Sequence, residues 1–285
     1  MSEKLKGKIV VVTGATAGIG KAAAELFKKR GATVVCMARR LSDEFDSVRA
    51  DVTDADAVKA AISEIRNKYG RIDVLVNNAG MGISGAAEDT DTADVRRIFE
   101  LNFFGMFNVT REVIPVMREN GGGVIVNVSS VAAELAIPFQ SFYSATKAAL
   151  SSFSAALRNE VAPFGIKVTC VLPGDVKTDF TAARRKNASD NPAYGDRVAR
   201  SVAVMERDEK NGMPPEVIAK LIVRLASSSR PPVSRVGGGK YVFLVALSKV
   251  LPPRLVSYIL GKMYAQPRQR FYGADNPLQF RLMLL

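Results

Sequence analysis

Tyr143 and Lys147 stand four residues apart in the stretch SVAAELAIPFQSFYSATK, and Ser130 lies thirteen residues before the tyrosine. If a helix opens at Tyr143, this spacing sets phenol and ammonium one turn apart on a single face. A cation there favours phenolate over phenol. Free tyrosine titrates at a pKa of about 10, so reaching neutrality takes about 4 kcal/mol at roughly 1.4 kcal/mol per unit. One ammonium with a cationic ring nearby can supply that. A phenol so tuned can exchange a proton with an alcohol or a carbonyl at physiological pH. The pair carries little weight alone, because Tyr and Lys fall four apart by chance on many solvated helices.

The elements that must position such a pair can be read in order. KIVVV at 8–12 is a short continuous apolar run, as a buried parallel strand requires. TGATAGIG at 13–20 follows directly, and KAAAELFKKRG then reads as a helix ending at Gly31. Strand, glycine turn and helix in immediate succession make a phosphate site for a dinucleotide. Gly14 allows the turn, Gly18 lets backbone approach a pyrophosphate, and Gly20 permits close helix–strand packing. The spacing is G-x-x-x-G-x-G, a departure from the usual G-x-G-x-x-G. The second strand, ATVVCMA, ends where an NAD site would place an acid on the ribose, but here Ala38, Arg39 and Arg40 follow. Arginine pairs with a 2′-phosphate instead, so the reading is NADP(H).

Only LSDEFDSVRA separates Arg40 from Asp51, too little for a crossover helix plus a strand. At most one helical turn fits before a short strand SVRA, which predicts an adenine pocket with an open rim. A capped helix at 54–70, a strand RIDVLV and the turn NNAG at 77–80 come next. A helical region over about 92–119 holds Asn102 in its interior beside Gly105, which suggests a local break or a tight helix–helix contact. VIVNVSS is the fifth strand, the helix from 141 carries Tyr143 and Lys147, and KVTCVLPG is the sixth. Residues about 180–212 are polar and read as a mobile loop or short helices, a candidate lid after a strand end. A proline-started helix at 214–229 and a last strand PPVSRV follow. Two apolar segments, YVFLVALSKVL and PRLVSYILGKMY, precede a tail ending in PLQFRLMLL.

Composition removes several chemistries. The 285 residues include no histidine, so Ser-His and Cys-His nucleophiles and most zinc sites are excluded, and no metal is expected. Cys36 and Cys170 sit in apolar strands, which suggests a reducing compartment. MSEKLKGK is not a signal peptide, and the longest apolar run, 241–247, falls far short of the roughly 20 residues of a membrane span. The expectation is a cytoplasmic or membrane-peripheral protein. The net charge of +12 is lopsided: 22 basic against 21 acidic residues up to Thr181, then 18 against 7. A solubilising surface explains that best, with an anionic partner such as phospholipid second. The basic residues are scattered, so nucleic acid is not expected.

Taken together, residues 6–180 closely resemble the classical short-chain dehydrogenase/reductase family. TGATAGIG resembles its cofactor turn, Asp51-Val52 its adenine-contacting pair, and NNAG the motif that steadies its central sheet. Asn102, Ser130, Tyr143 and Lys147 fall at the positions of its catalytic tetrad. Pro173-Gly174 and Thr178 match its PG-x-x-x-T segment. The resemblance implies one doubly wound Rossmann-type α/β domain over 1–285: a seven-stranded parallel sheet within about 6–236, the lid, and a C-terminal helical extension over about 237–285. It implies that Tyr143 protonates a carbonyl as hydride arrives, that Ser130 positions that oxygen, and that Lys147 lowers the tyrosine pKa and binds the nicotinamide ribose. Asn102 would hold a water linking Lys147 to solvent. Cofactor contacts would also come from Gly14, Thr16, Gly18, Ile19, Gly20, Arg39, Arg40, Asn78, Ala79, Gly80, Gly174 and Val176.

The expected activity is interconversion of a ketone or aldehyde with an alcohol. Met81, Leu135, Phe139, Phe142 and Phe180 would line a pocket for a hydrophobic small molecule of lipid, steroid or retinoid type. A β-ketoacyl-thioester reductase is the alternative, disfavoured because such members typically lack the C-terminal extension. A non-catalytic NADP(H)-binding sensor or peripheral membrane protein is a further one. The Ala/Ser-rich helix after Tyr143 resembles the one through which family members pair as homodimers or homotetramers.

Overall fold

The computed structural model describes residues 3–187 and 191–265. Seven strands form one parallel sheet: β1 (Ile9–Thr13), β2 (Thr33–Ala38), β3 (Asp46–Arg49), β4 (Val74–Asn77), β6 (Gly123–Val128), β7 (Ile166–Pro173) and β9 (Ser234–Gly237). A two-stranded ribbon pairs β5 (Ile83–Ser84) with β8 (Arg185–Lys186). The helices are α1 (Gly18–Lys29), α2 (Ala55–Tyr69), α3 (Thr92–Phe99), α4 (Gly105–Glu119), α5 (Ser141–Val161), α6 (Phe180–Ala183), α7 (Arg197–Lys210), α8 (Pro215–Ala226), α9 (Gly239–Ser248) and α10 (Pro253–Tyr264).

The order in the large sheet is β3-β2-β1-β4-β6-β7-β9, all neighbours parallel. This is the doubly wound α/β arrangement the sequence predicts. Alternation along each strand divides the core. Val10 and Val12 of β1 join Val34, Val74 and Val126 against Ala23 and Phe27 of α1 and Ile218 and Ile222 of α8. Ile9 and Val11 face the other way, with Leu75 and Ile125, against Ile62 of α2, Val113 of α4 and Leu157 of α5. Both faces of the sheet are therefore buried, which is why its strands read as continuous apolar runs. The order reverses between β1 and β4, so the carboxyl ends of these two strands open a crevice.

Two local readings are refined. The short link after Arg40 contains no helix and enters β3 one residue earlier than SVRA suggests. The region 92–119 is interrupted: residues Glu100–Phe104 form a π-helical turn that carries Asn102. The neighbouring glycine has its own cause, since a Cβ on Gly105 would lie 2.7 Å from Val52 Cγ2. Break and tight contact are both present, and the contact is to the loop after β3 rather than to a helix.

The lid segment takes the short-helix form of the two readings and adds a strand that its composition does not disclose. It contains α6, β8 and α7, and β8 ties it to β5, just beyond NNAG. Residues 188–190 of the expected lid lie outside the described residues, as do residues 266–285 of the expected extension, the PLQFRLMLL tail included. The two apolar C-terminal segments are α9 and α10, separated by Pro252 and Pro253.

Candidate active site

The glycine turn joins β1 to α1 with Gly14 at φ 67° and Gly18 at φ 56°, the left-handed region in which a Cβ is strained. At Gly20 the constraint is contact: a Cβ would stand 2.4 Å from both Asn78 Nδ2 and the Gly14 carbonyl. Helix α1 begins without a side-chain cap and without an acidic residue in its first turn. Its terminal N–H groups and partial positive charge are left for an anion, so the chain's own residues fit a dinucleotide pyrophosphate here.

NNAG is held against this turn by Thr13, a residue to which the motif assigns no role. The buried Thr13 hydroxyl accepts hydrogen bonds from Asn78 N (2.9 Å) and Ala79 N (3.0 Å). Asn78 Nδ2 donates to the carbonyls of Thr13 and Gly14 at 3.1 and 3.2 Å. Asn77 Nδ2 donates to Thr110 Oγ1 (3.0 Å) and Asn127 Oδ1 (2.8 Å), and Asn127 Nδ2 donates on to Ser154 Oγ (2.8 Å). This polar chain crosses β4, β6 and α5, fixing the strand ends relative to the helix that bears Tyr143. Asn108 is a second contributor outside the motifs; its Nδ2 donates to the Val52 carbonyl at 3.0 Å. The Asp51 carboxylate accepts from the Thr53 backbone N (3.0 Å) and hydroxyl (2.8 Å). Arg39 and Arg40 are exposed at the end of β2 and form no ion pair within the described residues.

The expected tetrad converges. Ser130 lies just past the end of β6 and its hydroxyl accepts from Ala132 N at 3.1 Å. Tyr143 and Lys147 lie on one face of α5, with the ammonium 5.8 Å from the phenol ring centroid. Lys147 is 5% exposed, and its Nζ donates to the Val128 carbonyl at 2.9 Å. Ser129, not singled out in the sequence, donates from its hydroxyl to the Lys147 carbonyl (3.0 Å). Asn102, 1% exposed, clamps the strand-end loop: its Oδ1 accepts from Met81 N (2.8 Å), and its Nδ2 donates to the Met81 carbonyl (2.9 Å) and Thr146 Oγ1 (3.1 Å). Gly80 lets these groups meet, since a Cβ there would lie 3.1 Å from Asn102 Oδ1 and 3.6 Å from Lys147 Nζ.

The electrostatics differ from the simplest sequence argument. Burial pushes the Tyr143 phenol up to about 12; a hydrogen bond from Ser130 opposes the rise, the Glu209 carboxylate adds to it and the Arg184 guanidinium opposes it. Burial brings Lys147 down to about 8. In this geometry the phenol is protonated at neutral pH, ready to donate. Lys147 retains its charge there but loses it within the alkaline range.

Pro173 ends β7 and Gly174 follows it, and the ring of Tyr241 from α9 packs so closely that a Cβ on Gly174 would overlap it. Thr178 lies over the glycine turn, its Cγ2 3.3 Å from where a Gly18 Cβ would stand. Of the expected pocket residues, Phe180 lies beside the phenol, with ring centroids 5.8 Å apart, and Met81 is held by Asn102. Leu135 lines an apolar cleft open to solvent, walled by Val131, Tyr241, Leu244, Leu260 and Tyr264 among others. The extension helices thus supply much of the wall. Phe139 lies elsewhere: at φ 61° it is buried with Ala86, Val198 and Met205 beneath α7, its ring 6.0 Å from that of Tyr194. Phe142 is half-buried at the start of α5. Among the described residues no cluster of metal-ligating side chains occurs.

Relatives agree with this geometry. The chain is 38% identical over 267 residues to 3-ketodihydrosphingosine reductase of Bacteroides thetaiotaomicron, covering 92% of this chain and 99% of that one. It is 33% identical to 11-beta-hydroxysteroid dehydrogenase A of Sesamum indicum, covering 95% and 81%. A short-chain dehydrogenase of known structure from Streptomyces avermitilis superposes with a TM-score of 0.78 at 35% identity, covering 90% of this chain and 95% of that one. A model of the family described as short chain dehydrogenase matches residues 8–189. With the glycine turn, the parallel sheet and the Ser130–Tyr143–Lys147 cluster all in place, the chain belongs to the short-chain dehydrogenase family of oxidoreductases.

Proposed function

We propose that the protein is an NADP(H)-dependent oxidoreductase that interconverts a hydrophobic ketone or aldehyde with the corresponding alcohol. The observation that carries this reading is the convergence of Tyr143 and Ser130 at the carboxyl end of β6, with the buried Lys147 one turn behind the phenol. The bound nicotinamide supplies or accepts hydride. Tyr143 donates its proton to the carbonyl oxygen, Ser130 holds that oxygen in line, and the Lys147 cation stabilises the phenolate left behind. Asn102 keeps the Met81 loop against Lys147. Arg39 and Arg40, exposed beyond β2, would hold a 2′-phosphate, and the uncapped start of α1 the pyrophosphate.

The apolar cavity supports a hydrophobic substrate, as do relatives whose names specify a keto-dihydrosphingosine and a steroid. Following NADPH absorbance across long-chain ketones, steroid ketones and aldehydes tests the reading. Wild-type turnover of at least one class, lost roughly 10²- to 10⁴-fold in Tyr143→Phe with NADPH binding retained, is the expected outcome. Undiminished turnover by that variant refutes the mechanism.

A second reading adds contact with an anionic lipid surface. Val242 and Phe243 of α9, Val250 just beyond it and Met263 of α10 are exposed, Val250 at 78%, close in sequence to Lys240, Lys249 and Arg254. No helix among the described residues is long and apolar enough to cross a membrane. Cosedimentation with phosphatidylserine vesicles at low salt, absent with phosphatidylcholine alone, is the expected result. We further propose pairing of two copies through the exposed Ala145, Ala148, Ser152 and Ala156 stripe of α5, to be checked by light scattering.

A further inference from the structure

Arg184, between α6 and β8, is fully buried: none of its side chain reaches solvent. A buried guanidinium normally engages all of its donors, because its charge and its N–H groups have both been removed from water. Arg184 engages one side only. Its Nη2 is bonded to Glu209 Oε1, while Nε and Nη1 have no partner. Glu209 is itself held, since its other oxygen accepts from the Thr181 hydroxyl at 2.7 Å. The pair is therefore a fixed fork with two open donors.

Those donors belong to a side chain packed beside the residues that border the reacting groups. A Cβ on Gly82 would lie 3.4 Å from Arg184 Nε and 3.0 Å from the Phe180 ring, and that ring is the one beside Tyr143. Gly82 directly follows Met81, the residue clamped by Asn102. Arg184 and Glu209 are also near enough for their charges to act on the Tyr143 phenol. The elements that meet here leave other buried groups open as well, the hydroxyls of Ser84 on β5 and Ser201 on α7.

We infer that Arg184 is a substrate-recognition residue whose open N–H groups receive a second, uncharged oxygen carried by the substrate near its reacting carbonyl. The substrate class is an oxygenated ketone, either a hydroxy ketone or a keto ester. A carboxylate is disfavoured, because Glu209 already neutralises the guanidinium and Asp175 and Asp208 add negative charge on the same side. A plain ketone leaves the fork unpaired, which sites built to bond an oxygen penalise strongly. This inference rests on the carbonyl-reductase reading of the same site.

The test uses three probes of one chain length: a straight-chain methyl ketone, its α-hydroxy ketone and its β-keto methyl ester. Turnover with NADPH is compared for wild type, Arg184→Met and Arg184→Lys, and binding is measured by calorimetry with and without NADP⁺. Wild type should prefer an oxygenated probe by roughly ten- to a hundredfold in kcat/KM. Arg184→Met should lose most of that preference and Arg184→Lys part of it, with NADPH binding reporting that both variants fold. A residue that merely clamps the lid would lower all probes in the same proportion, and that result overturns the inference. Wild-type binding or turnover indifferent to the second oxygen overturns it too. Oxygen-dependent binding that Arg184→Met abolishes, in a protein that turns over none of the probes, keeps the recognition site and refutes the reductase reading instead.

Discussion

The strand-end side of the crevice and the lid side treat their polar groups in opposite ways. At the strand ends, Thr13, Asn78, Asn102 and Asn127 are tied into hydrogen-bond networks through their neighbours, and Lys147 is closed onto the Val128 carbonyl. On the lid side Arg184, Ser84 and Ser201 are buried with donors left open, and the cavity wall is apolar. Networks of the first kind rigidify, and a proton transfer needs positions held to fractions of an ångström. Open groups of the second kind cost stability until something fills them, which suits a surface that must recognise a substrate. The chemistry sits where the chain satisfies most of its own polar atoms, Asn77 Oδ1 being an exception, and the proposed selectivity sits where more of them are left unpaired.

The largest expected effect tests the first half of that contrast. Lys147→Met should lower kcat by roughly 10²-fold or more, since the cation that stabilises the phenolate is gone. The same variant should be more stable than wild type at neutral pH. Burial lowers the Lys147 pKa from 10.5 to about 8, so keeping the ammonium charged inside the fold costs about 3 kcal/mol below that pH. The unfolded chain binds more protons between those two values, so the cost is relieved as pH rises through the window. The raised Tyr143 pKa works the other way above its usual value of 10.0, where the unfolded chain loses a proton first. The net gain in wild-type stability is therefore expected between pH of about 8 and about 10, and absent in Lys147→Met. Denaturant midpoints across that range check it; parallel curves for the two proteins would break the argument. The reductive rate of wild type should fall over the same window as Lys147 loses its charge, with the phenol still protonated.

Next in size is Thr13→Val, which leaves the half-buried N–H groups of Asn78 and Ala79 without an acceptor. A loss of about 2 kcal/mol is expected, with KM for the dinucleotide rising more than kcat falls. Urea denaturation and a KM–kcat split measure both; an unchanged midpoint would show that the network on this side is dispensable. Gly174→Ala sharpens the contrast from the other side. Its Cβ would overlap the Tyr241 ring, so α9 must shift and the cavity wall with it. Affinity for long apolar probes should drop several-fold while dinucleotide affinity changes less, as calorimetry would report. The smallest effect belongs to Arg39→Ala: about a tenfold loss of preference for NADPH over NADH, one charge-assisted contact at an exposed position. Comparison with Arg40→Ala shows which arginine carries it.

Much of the strand-end side is legible in the amino-acid sequence. Continuous apolar runs mark strands buried on both faces, and the glycine spacing, NNAG and the Tyr143–Lys147 interval are each local in sequence. The π-turn at Asn102 is half legible: an Asn and a Gly in a helical stretch signal trouble without saying which kind. Thr13, Ser129 and Asn108 are not, because a threonine, a serine and an asparagine in or beside regular elements look ordinary until their partners, 18 to 66 residues away, are known. The ribbon β5–β8 escapes for a different reason. Two-residue strands have no period to read.

By itself, then, the sequence determined the fold class, the dinucleotide turn and the identity of the candidate proton donor, since strand alternation, glycine φ and an i,i+4 interval are properties of short segments. The tertiary structure decided the remainder. It placed the phenol where burial raises its pKa instead of lowering it, with Ser130 and Arg184 opposing the rise. It moved Phe139 beneath α7 and brought α9 and α10 to the cavity wall. It also gave Arg184 a partner on one side and none on the other, an outcome of how α6, β8 and α7 meet that no local pattern encodes.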